Sequence, residues 1–169
     1  ISKKILHILK NRVGIKSVFD RLLNSRKVSS IKSDLAKIFN LDESEIKAKV
    51  HNVEHHRSHI ASSFFASSFQ NSAILSIDGF GDFTSTMTAI GKENQIQVLD
   101  SVNYPHSLGM FYTTVTQFLG FPNYGDEYKV MGLAPYGEAK YLNELSTIVE
   151  RTVDGFFTLN KKFFKHFNE

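Results

Sequence analysis

Three strand-forming runs follow one another with only short turns between them, and that spacing restricts the fold more than any other feature. Ala73-Ile74-Leu75-Ser76-Ile77-Asp78 reads as a buried strand. Gly79-Phe80-Gly81-Asp82 is a glycine-rich turn into a second strand at about 84–90. Gly91-Lys92-Glu93-Asn94 then leads to a third at about 95–103. Links this short suit antiparallel pairing, because a parallel pair needs a crossover of a dozen or more residues. A helix rich in small residues is expected from about 55 to 70. Another, capped by Ser107 and holding Leu108, Phe111, Tyr112, Val115 and Phe118, runs to about 119.

The remaining elements are read from periodicity. Helices are expected at 3–12 and 16–25, with Gly14 as a break. Ser29 or Ser30 caps a third helix, with Ile31, Leu35, Ile38 and Phe39 on one face and Asn40 near its end. Ile46, Ala48, Val50 and Val53 alternate like a short strand. Asp126–Ala134 fits one or two helical turns, Glu138–Arg151 a longer helix, and Phe156–Leu159 a strand. Phe163-Phe164-Lys165-His166-Phe167 is apolar with nothing left to pack on. The expected class is α/β: a mixed sheet with three antiparallel strands followed by helices, the opening of a ribonuclease H-like lobe.

The chain has 169 residues, enough for one domain with its own core. It has no cysteine, which excludes disulfides, thiolate metal ligands and a cysteine nucleophile, and fits a cytoplasmic location. No apolar run approaches the roughly 20 residues of a membrane helix, so no membrane contact is expected. The start, Ile1-Ser2-Lys3-Lys4, reads as a cut in something longer. Residues 1–50 hold 12 Lys/Arg against 5 Asp/Glu, and the rest hold 8 against 12. The basic residues are interleaved with apolar ones, as on solvated amphipathic helices, so nucleic acid is not an expected partner.

Four of the seven histidines lie between His51 and His59. His55 and His59 are four apart, so on a helix they project from one face and can hold one metal ion. The spacing is that of the H-E-x-x-H metalloprotease helix, but His56 stands where the glutamate base belongs. Asp78, at a strand end, suits a third ligand. Imidazoles with a carboxylate favour iron, zinc or manganese over calcium. Such histidines are also often an ordinary surface cluster, and an Asp before Gly is often only a turn residue. The backbone amides of Gly79, Phe80, Gly81 and Asp82 could face phosphates, though most such turns bind nothing. Lys129, among Gly, Pro and aromatic residues at Asp126–Gly137, could meet a phosphate oxygen, or could be a surface lysine beside a turn. His106 and Ser107 could make a polar contact at a helix start, or merely cap it.

Four segments occur in order: His55-His56-Arg57-Ser58-His59, Ile77-Asp78-Gly79-Phe80-Gly81-Asp82, Ser107-Leu108-Gly109-Met110-Phe111-Tyr112, and Lys129-Val130-Met131-Gly132-Leu133-Ala134-Pro135-Tyr136-Gly137. Together they resemble the NodU/CmcH carbamoyltransferase family. The resemblance implies an ASKHA-type domain (the actin and sugar-kinase architecture) joined to a YrdC-like domain. The latter makes carbamoyl-adenylate from carbamoyl phosphate and ATP; the former passes the carbamoyl group to the hydroxyl of a small acceptor. It implies a divalent metal whose ligands map onto His55, His59 and Asp78, with nucleotide phosphates along Gly79–Gly81 and Asp82. Lys129 and His56 are the candidate catalytic groups, His56 as a proton shuttle.

On this reading residues 1–70 are the mostly helical end of a first lobe, including the histidine helix. Residues 71–169 begin a second ribonuclease H-like lobe. The YrdC-like domain and one further family Asp are absent, so the chain alone is expected to be inactive and to rely on the remaining domains of the full protein. Three readings compete. A hydrogenase-maturation or tRNA threonylcarbamoyl-type enzyme shares the His-x-x-x-His helix. A non-catalytic module could recruit a partner through the basic part. An actin-like kinase lobe would need a catalytic carboxylate, for which only Asp78 or Asp82 is evident.

Overall fold

The computed structural model describes residues 31–165. The helices expected at 3–12 and 16–25, the Ser29/Ser30 cap, and His166 and Phe167 lie outside these residues. The chain divides into two compact units, with Ile1–Val53 and Lys165–Glu169 in the first and Glu54–Phe164 in the second. The boundary between these units falls before the histidine helix. That helix packs on the sheet and shares its core.

In the first unit, α1 spans Ile31–Phe39. Asn40 ends it at φ 53°, a left-handed conformation that Asn tolerates. The Asn40 N–H donates to Lys37 O at 3.3 Å and the Leu41 N–H to Ala36 O at 2.9 Å, which satisfies two terminal carbonyls. Asp42 and Glu45 then form a reciprocal capping box around a single 3-10 turn. The strand expected at 46–53 does not form. Its alternation is real, but no strand pairs with it among the described residues. Lys32 Nζ instead donates to the Ile46 carbonyl at 3.3 Å.

The second unit opens with α2, His55–Phe65. It stops short of residue 70 because serine hydroxyls compete for its carbonyls: Ser67 Oγ donates to Phe64 O at 2.7 Å. Then come β1 (Asn71–Gly81), β2 (Thr84–Lys92) and β3 (Gln95–Asn103). They form a meander in the order β1-β2-β3, antiparallel throughout rather than mixed. The first turn is not at Gly79–Gly81. Those residues continue β1, Gly81 pairs with Thr84, and the chain reverses over Asp82 and Phe83, with Asp82 at φ 56°. The second turn is at Glu93-Asn94, with Glu93 at φ 53°.

One face of β1 points Ile74 and Ser76 inward, while Leu75 and Ile77 on the other face stay largely exposed. The core joins Ile60 and Phe64 of α2 to Ile74, Met87 and Ala89 of the sheet, with Ile96 and Val98 at its margin. Gly91 makes room for it: a Cβ there would lie 2.5 Å from the Phe64 ring. Next, α3 spans Leu108–Phe118 and packs on β1, capped by Ser107 as expected. Helix α4 covers Glu127–Leu133 and runs into a 3-10 turn, Ala134–Tyr136.

The long helix expected over 138–151 is replaced by a short α5, Leu142–Ser146, and by β4, Val149–Arg151. Here Ser146 and Thr147 hydroxyls donate back to Leu142 and Glu144 carbonyls, and the β-branched Thr147-Ile148-Val149 run favours a strand. A turn with Gly155 at φ 86° returns the chain as β5, Phe157–Leu159, antiparallel to β4. Phe164 is buried, against the expectation that its segment has nothing to pack on.

Truncating Phe64 empties the space between α2 and the sheet. Phe64→Ala is expected to lower stability by about 3–5 kcal/mol, measured by urea unfolding.

Candidate metal centre

Helix α2 begins where two carboxylates meet its free backbone N–H groups. Glu54 is the N-cap, and its Oε2 accepts from Arg57 N at 2.8 Å. Asp82 Oδ2, from the turn after β1, accepts from His55 N at 3.1 Å. The first turn of the helix is thereby tied to the end of the first hairpin. That tie holds the His55 end of the helix beside the turn between β1 and β2.

His55 and His59 lie one turn apart, and their Nε2 atoms are 2.9 Å from each other. Asp78 Oδ2 is 2.8 Å from His55 Nε2 and 3.4 Å from His59 Nε2. Among the described residues these three form the one His/Asp/Glu group close enough to share a metal ion. With metal–ligand bonds of about 2.1 Å, neighbouring donors sit about 3.0 Å apart on an octahedral face and about 3.4 Å apart in a tetrahedron. The observed edges of 2.8, 2.9 and 3.4 Å lie at or within about 0.2 Å of that range. A single Nε2–H on His55 cannot serve both Asp78 at 2.8 Å and His59 at 2.9 Å well, whereas one cation would satisfy all three atoms together. Two imidazoles and one carboxylate with open positions suit iron or zinc. The donor set therefore fits a divalent transition metal.

The hydrogen bond from His55 holds the Asp78 carboxyl below its ordinary value, against the opposing effect of partial burial; the Gly79 amide adds to the lowering. Gly79 N donates to Asp78 Oδ1 at 2.6 Å. That amide thus holds the Asp78 carboxylate rather than standing open. Beside Gly79 the space a Cβ would fill is empty. Gly81 has the opposite surroundings. A Cβ there would lie 2.0 Å from His55 Cδ2, so only glycine lets the imidazole lie against the strand. The Phe80 ring centre lies 5.1 Å from that of Tyr104, with the planes tilted by 51°.

His56, read from the sequence as a proton shuttle, is fully buried. Its Nε2 lies 2.9 Å from the Thr84 carbonyl and its Nδ1 lies 2.8 Å from Ser76 Oγ. A carbonyl only accepts, so a neutral ring with its proton on Nε2 satisfies both contacts. No ring nitrogen is left to exchange protons with a substrate. Lys129 is likewise engaged. Its Nζ pairs with Asp126 at 2.7 Å and lies 5.6 Å from the Phe121 ring centre. Asp126 is buried and also accepts from Asn123 N at 3.1 Å. The Lys129 contact holds the Asp126 carboxyl below its ordinary value, and the Asp126 contact raises the Lys129 ammonium. Sequence reading missed Asp126 and Glu54. The i,i+3 spacing of Asp126 and Lys129 was the available signal for the first; for Glu54, it was an acidic residue directly before a helix.

A family model described as carbamoyltransferase N-terminus matches residues 9–169. The uncharacterized protein sll1178 of Synechocystis is 43% identical over 114 residues, covering 67% of this chain and 18% of that protein. Nodulation protein NolNO of Sinorhizobium fredii is 46% identical over 86 residues, 51% of this chain and 12% of its own length. Nodulation protein NolO of Bradyrhizobium diazoefficiens is 44% identical over 93 residues, 55% and 17%. The chain thus spans less than a fifth of each of these relatives.

The Asp126–Lys129 pair generates a pH prediction. A depressed carboxyl stabilises the fold above its unfolded value of about 3.9, and that stabilisation fades as pH falls through the lower folded value. The raised Lys129 contributes up to about pH 10.4 and fades above it. Asp126→Asn should therefore be less stable than wild type at pH 7, with the gap closing below about pH 4, read from urea midpoints at both pH values.

Proposed function

The chain belongs to the carbamoyltransferase N-terminal family, and from that membership we propose that it forms part of an O-carbamoyltransferase. The reaction proposed moves a carbamoyl group from carbamoyl phosphate, through carbamoyl-adenylate, to the hydroxyl of a small acceptor, with ATP and a divalent metal. The observation that carries the reading is the convergence of His55, His59 and Asp78 at edges of 2.8–3.4 Å. The described three-strand sheet with flanking helices is compatible with the ASKHA-type domain in which such chemistry is expected.

In this proposal the two imidazoles and the Asp78 carboxylate hold the cation. When bound, it supplies Lewis acidity toward a phosphate or carbamoyl oxygen. The chain's own residues do the rest by position. Asp82 and Glu54 fix the start of α2, Gly81 seats the His55 ring, and the Gly79 amide orients Asp78. The empty space beside Gly79 leaves room for nucleotide phosphates next to the cation. Held there, donor and acceptor meet without a diffusional search. The remaining domains of the full-length protein, including a YrdC-like domain, would form the adenylate, in the cytoplasm where ATP and carbamoyl phosphate occur.

Two measurements test this. Full-length protein should carry a bound divalent ion by elemental analysis, and His55→Ala or His59→Ala should lose most of it while keeping the native circular dichroism spectrum. Labelled carbamoyl phosphate, with ATP and a panel of hydroxyl acceptors, should give a carbamoylated product that Asp78→Ala no longer forms. A metal-free wild type, or product undiminished in all three variants, would rule the reading out.

A further inference from the structure

The carboxylate donor sits on backbone that the sheet does not hold. The β1–β2 register runs unbroken from Asn71↔Lys92 to Ile77↔Thr86, then shifts and resumes only at Gly81↔Thr84. Asp78, Gly79 and Phe80 fall in the irregularity and have no register partner on β2. A ligand on such a segment needs another support, since a metal site tolerates little displacement of its donors.

That support comes from α3. Ser107 is fully buried. Its hydroxyl lies 2.5 Å from Gly79 O and 3.1 Å from Asp78 O, and its one proton is shared between these two carbonyls. The same oxygen accepts from Met110 N at 3.1 Å, so the helix cap and the bulge meet on one atom. Two residues on, Gly109 lies flat against the bulge. A Cβ there would fall 2.6 Å from Gly79 N and 2.7 Å from the Asp78 carbonyl carbon and oxygen. Ser107 is itself anchored from behind, because the preceding His106 carbonyl accepts from Ser85 Oγ of β2 at 2.5 Å.

We propose that Ser107, with the close seat left by Gly109, is a positioning residue for the Asp78 ligand. It replaces the missing ladder with a hydroxyl bridge from the start of α3. The inference rests on the reading of His55, His59 and Asp78 as a metal site, and reaches Asp78 only through its backbone.

Cobalt(II) is a suitable probe, because its visible bands report ligand geometry. In the full-length protein, Ser107→Ala should weaken cobalt affinity by about 10–100-fold and shift those bands. Ser107→Thr, which keeps the hydroxyl, should restore both. Gly109→Ala removes no hydrogen-bonding group but pushes on the bulge, and should reproduce the loss. Thr114→Ala removes a different α3 hydroxyl, bonded to Met110 O at 2.8 Å, and should change neither readout. If folded Ser107→Ala and Gly109→Ala bind cobalt within about threefold of wild type with unshifted bands, the inference is wrong. Should Ser107→Ala fail to fold, Gly109→Ala decides alone. Should wild type take up no cobalt, the metal reading falls. Amide exchange across Asp78–Phe80 in the metal-free protein then decides the bridge, faster in Ser107→Ala if it exists and unchanged if it does not.

Discussion

The imidazole of His56 fixes the geometry on which the rest of the site depends. Burying a polar ring without partners is costly, but here both nitrogens are satisfied, one by a side chain of β1 and one by the backbone of β2. The contact therefore works only at one rotation and one height of α2 over the sheet. Ile60 and Phe64 continue the same inward stripe at i+4 and i+8. Once that stripe is set, helical geometry leaves no choice about His55 and His59. They emerge on the flank that overlooks the end of β1, where Asp78 sits.

Much of this was legible in the sequence, and the misses share a cause. The three strands, the Ser107 cap and the one-turn spacing of His55 and His59 are local patterns, and the structure keeps them. The turn lies a few residues beyond the glycines, although glycine is the usual turn signal. In fact Gly81 serves close approach to His55, while Asp82 takes the left-handed position. The role of His56 could not be read locally. Three histidines within five residues give no indication of which one turns inward until the sheet is in place. The helix expected over 138–151 failed for the converse reason. Its periodicity was weak, and a strand partner at 157–159 overrode it.

Lys129 shows the same lesson for charge. A lysine in a glycine- and aromatic-rich segment reads as a ligand-binding cation. Three residues earlier, however, a buried carboxylate already claims it. The pair closes the turn before α4, with Asp126 also receiving the Asn123 amide. Its strength lies in satisfying a carboxylate that is shielded from water, not in exposed ion-pair attraction, which is weak.

All three proposed ligands come from one short stretch, residues 55 to 78, that runs from α2 through the tight connection at 66–70 into β1. An ion held there is a chelate closed by neighbouring chain. The entropy lost in closing such a loop grows only with the logarithm of its length, and this loop is short. In the proposed site, affinity for the cation is then largely a local property of one helix–strand pair. Under the proposed function, acceptor choice could then diversify elsewhere in the protein without redesigning the metal centre.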